Sequence, residues 1–472
     1  MTFNPEKQYR CAIVRGRAKG MMDDLLSAYM RIIESICPCS KEEFAREFDA
    51  KIRQFLGRSD KSIANHRTEI AGRLFGMYYF DENDVVQISE KTKQLLEDQD
   101  QPAFFKDVCA KLQFPSGMNK PNPTVRDHVK LGIKIRQGAF LLKTLQLANT
   151  AGMELTKDEL GYYVLNALEV LQGKITPDQV LSEIQDRRKK HVIKKVADES
   201  GRKGSKSNQH ITETFNYLEL ANLIKVEGRL VKTVTLNLKE EKSIMSIADQ
   251  WDKPLPFCVE KYDLNTRNGA RRLSDDWLIY AGQLSHETAI TYRTDLQTFS
   301  EKAAEGIGFL PGDEATEIGD QAEAFVFNYE RKRIKNYSAR MAMQVIHFGK
   351  TKGLGFDIQS LFAEKGSNPE HAIFIEVKGT KRVTAPDPSL VSWNDTVTLT
   401  RREWTAAEQY KEAYFIYRVY FTPDVIRIFE ISDPADKKTR SKIKVSALSY
   451  RVDFDKSSGS FIKDAEQPGY GA

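Results

Sequence analysis

The sequence predicts a multidomain protein, with a mainly α-helical N-terminal region followed by a C-terminal α/β region on a mixed central sheet. Three observations lead to that fold class. The chain has 472 residues, enough for about three domains. One order of elements, helix–helix–strand–turn–strand, occurs twice in the first half. Beyond Gly312 a long helical pattern gives way to short apolar runs of strand length.

The first copy of that order begins at Ser40, a good N-cap, before a helix over 41–56 with Phe44, Phe48, Ile52 and Phe55 on one side. Gly57 ends it, and Ser59 and Asp60 can cap a second helix over 61–75 with the stripe Ile63, Ile70 and Leu74. Met77–Phe80 and Val85–Ile88 read as strands around a turn at Asp81–Asp84, and Ser89 caps a third helix. In the second copy Thr156 and Glu159 form a capping-box pair, and Thr176-Pro177-Asp178 opens another helix. Gly201–Ser207 reads as a basic loop and Asn208–Leu223 as a helix with Ile211, Phe215, Leu218 and Leu223 on one side. Ile224–Val226 and Leu230–Leu236, joined across Glu227-Gly228-Arg229, read as a hairpin. This order is that of a winged helix, a helix-turn-helix variant, so residues 1–120 and 121–250 are each expected to form a DNA-recognition subdomain.

Residues 251–310, with Pro254, Pro256, Asn265, Asn268 and Gly269, read as a connector with some helix around Asp295–Ala304, and Gly306–Gly312 as the last boundary. The third domain, 311–472, opens with a helix over Ile318–Lys335. Extended runs follow at Met343–Phe348, Phe356–Phe362, Ala372–Val377 and Thr396–Leu399. A helix at Trp404–Tyr410 then precedes strands at Tyr414–Phe421 and Val425–Ile431.

Composition narrows the function classes. Apolar residues are 40% and charged residues 29%, sufficient for cores, and no stretch reaches the ~18 apolar residues of a membrane-spanning helix. The first ten residues are too polar for a signal peptide. The net charge of +5 permits a nucleic-acid partner. Five scattered cysteines do not make a disulfide framework, and Cys37-Pro38-Cys39 lacks a second Cys/His pair at zinc spacing. Reduced thiols in a cytoplasmic protein are expected.

The chemistry concentrates in Ile373-Phe374-Ile375-Glu376-Val377-Lys378-Gly379-Thr380. Glu376 and Lys378, two apart on an apolar strand, share one face. Burying them there costs several kcal/mol unless they pair or meet a metal. Asp357 lies in another apolar run with 18 residues between it and Glu376, so neighbouring strands can bring all three together. Other triplets of the same kind, such as Asp49-Ala50-Lys51 and Glu240-Glu241-Lys242, lack these apolar flanks and read as solvated surface. Glu403 starts the following helix, where a carboxylate suits the dipole without chemistry. Gln409 is a weaker candidate still, and a lone His347 on a strand is expected to be packed.

Asp357 followed by Glu376-Val377-Lys378 resembles the PD-(D/E)xK nuclease superfamily, although Phe356 stands where that pattern has Pro. Glu323 matches the acidic residue on the first helix of many members. Gly-Leu-Gly-Phe-Asp-Ile at 353–358, Ile-Glu-Val-Lys-Gly-Thr at 375–380 and Leu399–Trp404 are similar to the Mrr-like nuclease domains, over about residues 311–435. The resemblance implies an α/β nuclease sandwich with catalytic Asp357, Glu376, Lys378 and Glu323. Mg²⁺ would be held by Asp357, Glu376, the Val377 carbonyl and Glu323. Recognition helices in front of such a domain resemble the architecture of type IIS restriction endonucleases such as FokI and BpuJI. That architecture implies a double-stranded DNA partner, a homodimer during cleavage and a cognate DNA methyltransferase. An Mrr-like domain also leaves open a modification-dependent nuclease, and a non-catalytic winged-helix regulator is the non-enzyme alternative. DNA contact is expected from Lys61, Asn65, His66, Arg67 and Arg73 in the first unit. In the second it is expected from Arg202, Lys203, Lys206, Asn208, Gln209 and His210. Glu183–Ser207 carries nine Lys/Arg against four Asp/Glu, which suits phosphate contact.

Overall fold

The computed structural model describes residues 7–16, 18–56, 63–119, 124–192, 194–196, 205–284, 292–300, 318–349, 353–363, 371–390, 393–447 and 450–461. The N-terminal half is helical and the C-terminal part is built on a mixed sheet.

Helix α1 (Lys19–Ile36) runs through the centre of the N-terminal region, with Leu25, Leu26, Tyr29, Ile32 and Ile33 buried. Strand β1 (Cys39–Ser40) leads into α2 (Lys41–Leu56), whose Phe44, Phe48 and Ile52 enter the core as their helical spacing predicts. Helix α3 (Ile63–Asn65) continues as a π-helical stretch, His66–Leu74. Strands β2 (Tyr78–Phe80) and β3 (Val85–Ile88) complete an antiparallel sheet in the order β1-β3-β2. Ser89 caps α4 (Glu90–Asp98), its hydroxyl accepting the Thr92 N–H at 3.3 Å. Helix α5 (Gln101–Ala110) follows.

The second unit repeats the plan. Helix α6 (Gln137–Thr150) precedes β4 (Leu155–Thr156), α7 (Pro177–Lys189), α8 (Ser205–Leu220), β5 (Ile224–Glu227) and β6 (Thr233–Leu236), with strand order β4-β6-β5. The predicted capping pair of Thr156 with Glu159 forms, and Thr176 opens its helix as expected, closing a second box with Gln179. Helix α8 begins at Ser205, three residues before the predicted Asn208, and ends at Leu220 rather than Leu223. Asn222 takes a left-handed φ of 59° that turns the chain into β5.

The stretch read as a connector holds a helix the sequence does not announce, α9 (Arg267–Gly282). Its first turn is polar and follows prolines, which hides the stripe Leu273, Trp277, Leu278 and Ala281 buried in the N-terminal core. The Trp277 indole donates to the Arg73 carbonyl at 2.7 Å. A helical turn at Leu296–Phe299 falls within the predicted 295–304, whereas Ser59, Asp60 and the 306–312 boundary lie outside the described residues.

The C-terminal region starts with α10 (Ile318–Lys335), at its predicted bounds. The six-stranded sheet runs β15-β12-β11-β9-β8-β7. It comprises β7 (Ile346–His347), β8 (Ile358–Leu361), β9 (Ala372–Lys381), β11 (Tyr414–Phe421), β12 (Ile426–Ser432) and β15 (Ser460–Phe461). Within this sheet, among the described residues, β9 and β11 alone pair in parallel. A second antiparallel sheet, β10-β14-β13, joins β10 (Asp395–Leu399), β13 (Lys444–Ala447) and β14 (Tyr450–Phe454). Met341–Gln344 is a 3-10 turn, so the predicted strand Met343–Phe348 shrinks to β7. Helix α10 packs its Ala322, Phe325 and Val326 on one face of the main sheet. The other face is covered by α11 (Arg401–Tyr410) and the second sheet, with Trp404, Ile416, Tyr420 and Val452 buried.

Strand β9 runs past the predicted Val377 to Lys381 and reaches the N-terminal region. Lys381 N–H donates to the Gln99 carbonyl at 3.1 Å. Next along the chain, the buried Arg382 lies 2.6 Å from Asp24 and 3.6 Å from Asp23. Among the described residues no helix is long and apolar enough to cross a membrane.

Candidate active site and cleft

The three charged side chains predicted on neighbouring strands do converge. Asp357 immediately precedes β8, its N–H bonded to the Ile375 carbonyl at 3.0 Å, while Ile358 stands opposite Ile375. That register sets its carboxylate against β9, where Oδ2 accepts the Val377 N–H at 2.8 Å. Glu376 and Lys378 turn to the α11 side of the sheet, and Lys378 Nζ hydrogen-bonds Glu376 Oε1. Lys378 Nζ also lies 3.4 Å from Glu403 Oε2 on α11.

Electrostatics follow from this crowding. Burial, then the charge of Glu323, pushes the Asp357 carboxyl up to about 6 against the pull of Lys378. Burial drives Glu376 well above the usual carboxylate range, with Asp357 and Glu403 adding to it and Lys378 opposing. Burial alone would lower the Lys378 ammonium, but Glu376, Glu403 and Asp357 outweigh it and hold the proton on.

Glu323 projects from α10 and pairs with His347 Nε2 at 2.8 Å. His347 is exposed on β7 rather than packed, correcting the expectation for a lone strand histidine; Glu323 raises its pKa. Gln409 is exposed. Glu403 both caps α11 and faces Lys378, so the reading of it as a cap alone is incomplete. Among the described residues no three His, Cys, Asp or Glu side chains stand close enough together to hold a metal ion. Lys378 sits against Glu376, and His347 against Glu323.

The predicted nucleic-acid residues fall into three groups. Lys61, Arg202 and Lys203 lie outside the described residues. Asn65, His66 and Arg73 from the first unit and Asn208, Gln209 and His210 from the second line one cleft of about 860 Å³. Arg67 is not in that lining, because its guanidinium grips Asp49 at 2.9 and 3.3 Å. Lys206 is exposed and also outside the lining. His66 is buried, its Nδ1 hydrogen-bonded to the Tyr29 hydroxyl of α1, so the π-helical stretch does not expose it as predicted.

The sequence reading missed the segment Ala12–Gly16, which enters the same cleft. It is stitched onto α8: Ile13 N–H donates to His210 Nδ1 at 3.2 Å, and Gly16 N–H donates to Glu213 Oε1 at 2.9 Å. Burial, then Arg10 and Arg15, lowers the His210 pKa to about 4 and keeps the ring neutral, and its Nδ1 also lies 3.1 Å from the Ile13 carbonyl. Exposed Arg15 donates to Gln209. The available signal was the alternation of Arg10, Arg15, Arg17 and Lys19 in a segment without periodicity.

A helical region with a polar cleft, joined to a mixed-sheet region with a buried charged centre, is the make-up of a multidomain protein whose regions carry separate sites. Residues 3–278 match the family described as "Restriction endonuclease BpuJI - N terminal", more than half of the chain, and the chain belongs to that family. Residues 322–431 match the family described as "Protein NO VEIN, C-terminal". A solved structure titled "Crystal structure of pyrene- and phenanthrene-modified DNA in complex with the BpuJ1 endonuclease binding domain" is 45% identical, with a TM-score of 0.57. The likeness covers 60% of this chain and 100% of that chain. No curated protein matches.

Proposed function

We propose that the protein is a Mg²⁺-dependent, sequence-specific type II restriction endonuclease of the IIS-like kind, hydrolysing DNA phosphodiester bonds. The observation that carries it is the meeting of Asp357, Glu376 and Lys378 at one point of a mixed sheet. The arrangement supports reading the C-terminal region as a PD-(D/E)xK sandwich. The strand orders β1-β3-β2 and β4-β6-β5 behind paired helices support two winged-helix units. The DNA complex of the BpuJ1 endonuclease binding domain supports DNA binding by the N-terminal region, and the cleft is the place we assign to it.

The donor types, rather than the present spacing of the side chains, suit a hard divalent cation. Asp357, Glu376 and Glu323 are carboxylates, and burial and mutual repulsion already press Asp357 and Glu376 toward their neutral forms. These side chains with the Val377 carbonyl would hold Mg²⁺, which when bound neutralises phosphate charge and lowers the pKa of water. Lys378 remains protonated and hydrogen-bonds the scissile phosphate and the attacking water, stabilising charge as it develops. Asp357, anchored by the Val377 N–H, keeps its carboxylate oriented. A second active site for the opposite strand comes from another copy of the chain, and a companion methyltransferase protects host DNA.

Incubating unmodified and methylated plasmid with the protein and Mg²⁺ tests this reading. Discrete fragments from unmodified DNA are expected, and Lys378→Ala should bind the same DNA while cutting at least ~10²-fold more slowly. Cleavage confined to methylated plasmid would replace it with a modification-dependent nuclease, and binding without nicking would leave a DNA-binding regulator.

A further inference from the structure

We propose that Glu403 is a positioning residue that keeps the Lys378 ammonium on the active-site face when Glu376 is drawn away to a cation. The inference rests on the nuclease reading above. Glu376 has two claims on it, a cation and Lys378, and a cation bound to its carboxylate draws off charge and weakens its hold on the ammonium. Lys378 then needs another anion in a fixed place, and Glu403 Oε2 lies 3.4 Å from its Nζ.

The place is fixed by the first turn of α11. Thr400 N–H donates to Glu403 Oε2 at 2.7 Å, and Glu403 N–H donates back to the Thr400 hydroxyl at 3.3 Å. This reciprocal capping box sets the carboxylate's rotamer. Trp404, the next residue, is buried in the core and anchors the turn. On the other side, Gly355 (φ 82°) presses the Asp357 loop onto the same helix, so that a Cβ there would lie 2.8 Å from the Arg402 carbonyl oxygen. One helical turn therefore touches both edges of the charged centre.

The other two capping boxes among the described residues separate the two roles. Glu159 caps in the same way, but its carboxylate is taken by Arg188 at 2.7 Å. Gln179 closes the box with Thr176 at 2.9 Å, so an amide meets the capping need in this chain. Capping requires an acceptor at position 403, and only the contact with Lys378 requires a charge.

The test compares Glu403→Gln, Thr400→Ala and Lys378→Ala in the full chain. Three readouts apply: single-turnover plasmid cleavage with Mg²⁺, melting temperature, and the Lys378 Cε resonance in metal-free protein carrying carbon-13 lysine, assigned by its loss in Lys378→Arg. Glu403→Gln should cut about 10²-fold more slowly and shift the Lys378 resonance, with melting temperature and DNA affinity unchanged. Thr400→Ala should lower the melting temperature by about 2–4 °C and leave the resonance in place. Positioning by Glu403 is overturned if Glu403→Gln cuts like wild type while Lys378→Ala is inert. It is equally overturned if Thr400→Ala reproduces both the slowed cutting and the shifted resonance, which would reduce Glu403 to a cap. Wild-type cutting by Lys378→Ala would remove the nuclease assignment itself, and Glu403 with it.

Discussion

At the scale of single residues, the molecule places several ionisable groups where burial decides their charge. His128 shows the effect most simply. It is buried with Tyr9 and Phe114 edge-on at 5.7 and 5.4 Å, and neither ring nitrogen finds a hydrogen-bond partner among the described residues. Burial lowers its pKa from 6.5 to about 4. A folded-state pKa below the unfolded value means that the neutral ring's contribution is complete above about pH 6.5. It is lost as pH falls toward 4, and a shift of this size corresponds to about 3 kcal/mol. His128→Phe should therefore flatten the fall in melting temperature between pH 7 and pH 4.5; parallel profiles for variant and wild type would contradict the account.

At the scale of elements, β9 and α10 matter most, because together they carry Glu376, Lys378 and Glu323. They approach closely at Gly379, where a Cβ would lie 2.9 Å from both Ala322 Cβ and the Ile318 carbonyl oxygen. Backbone and a buried side chain cannot yield there as a flexible tip would. Gly379→Ala should cost about 1–3 kcal/mol in denaturant unfolding by forcing α10 away from β9. It should also slow cleavage while leaving DNA affinity intact, since the cleft lies in the other region; unchanged stability would mean that the helix moves freely over the strand. The same strand was underestimated from its sequence. Gly379-Thr380-Lys381 lacks the apolar run that marked 372–377, and its pairing continues because β11 runs alongside to Phe421.

At the scale of the whole molecule, the two regions are joined through buried charge. Arg382 is 2% exposed between Asp23 and Asp24 of α1, and Thr384 N–H donates to Asp23 Oδ2 at 3.0 Å. Burial raises the pKa of both aspartates, Asp24 to about 6, and the guanidinium opposes that shift. Removing the cation leaves two buried carboxylates uncompensated, a loss of about 3–5 kcal/mol. Arg382→Ala should split calorimetric unfolding into two transitions as the regions uncouple, whereas a single transition at the wild-type temperature would show that the seam contributes little.

Much of this protein was legible from residue order alone, because its cues are local. Helical spacing placed 41–56 and 318–335, the Thr156 and Glu159 pair three apart placed one capping box, and strand alternation put Glu376 and Lys378 on one face. Local cues cannot report which faces meet. That Asn65 and Gln209 look into one cleft, that Ala12–Gly16 lies in it, and that Trp277 belongs to the N-terminal core depend on contacts between residues far apart in the chain. Glu403 and His347 show the same limit. Each reads as an ordinary surface or core residue until packing brings α11 and β7 beside the buried carboxylates, and only that proximity gives their charge a partner.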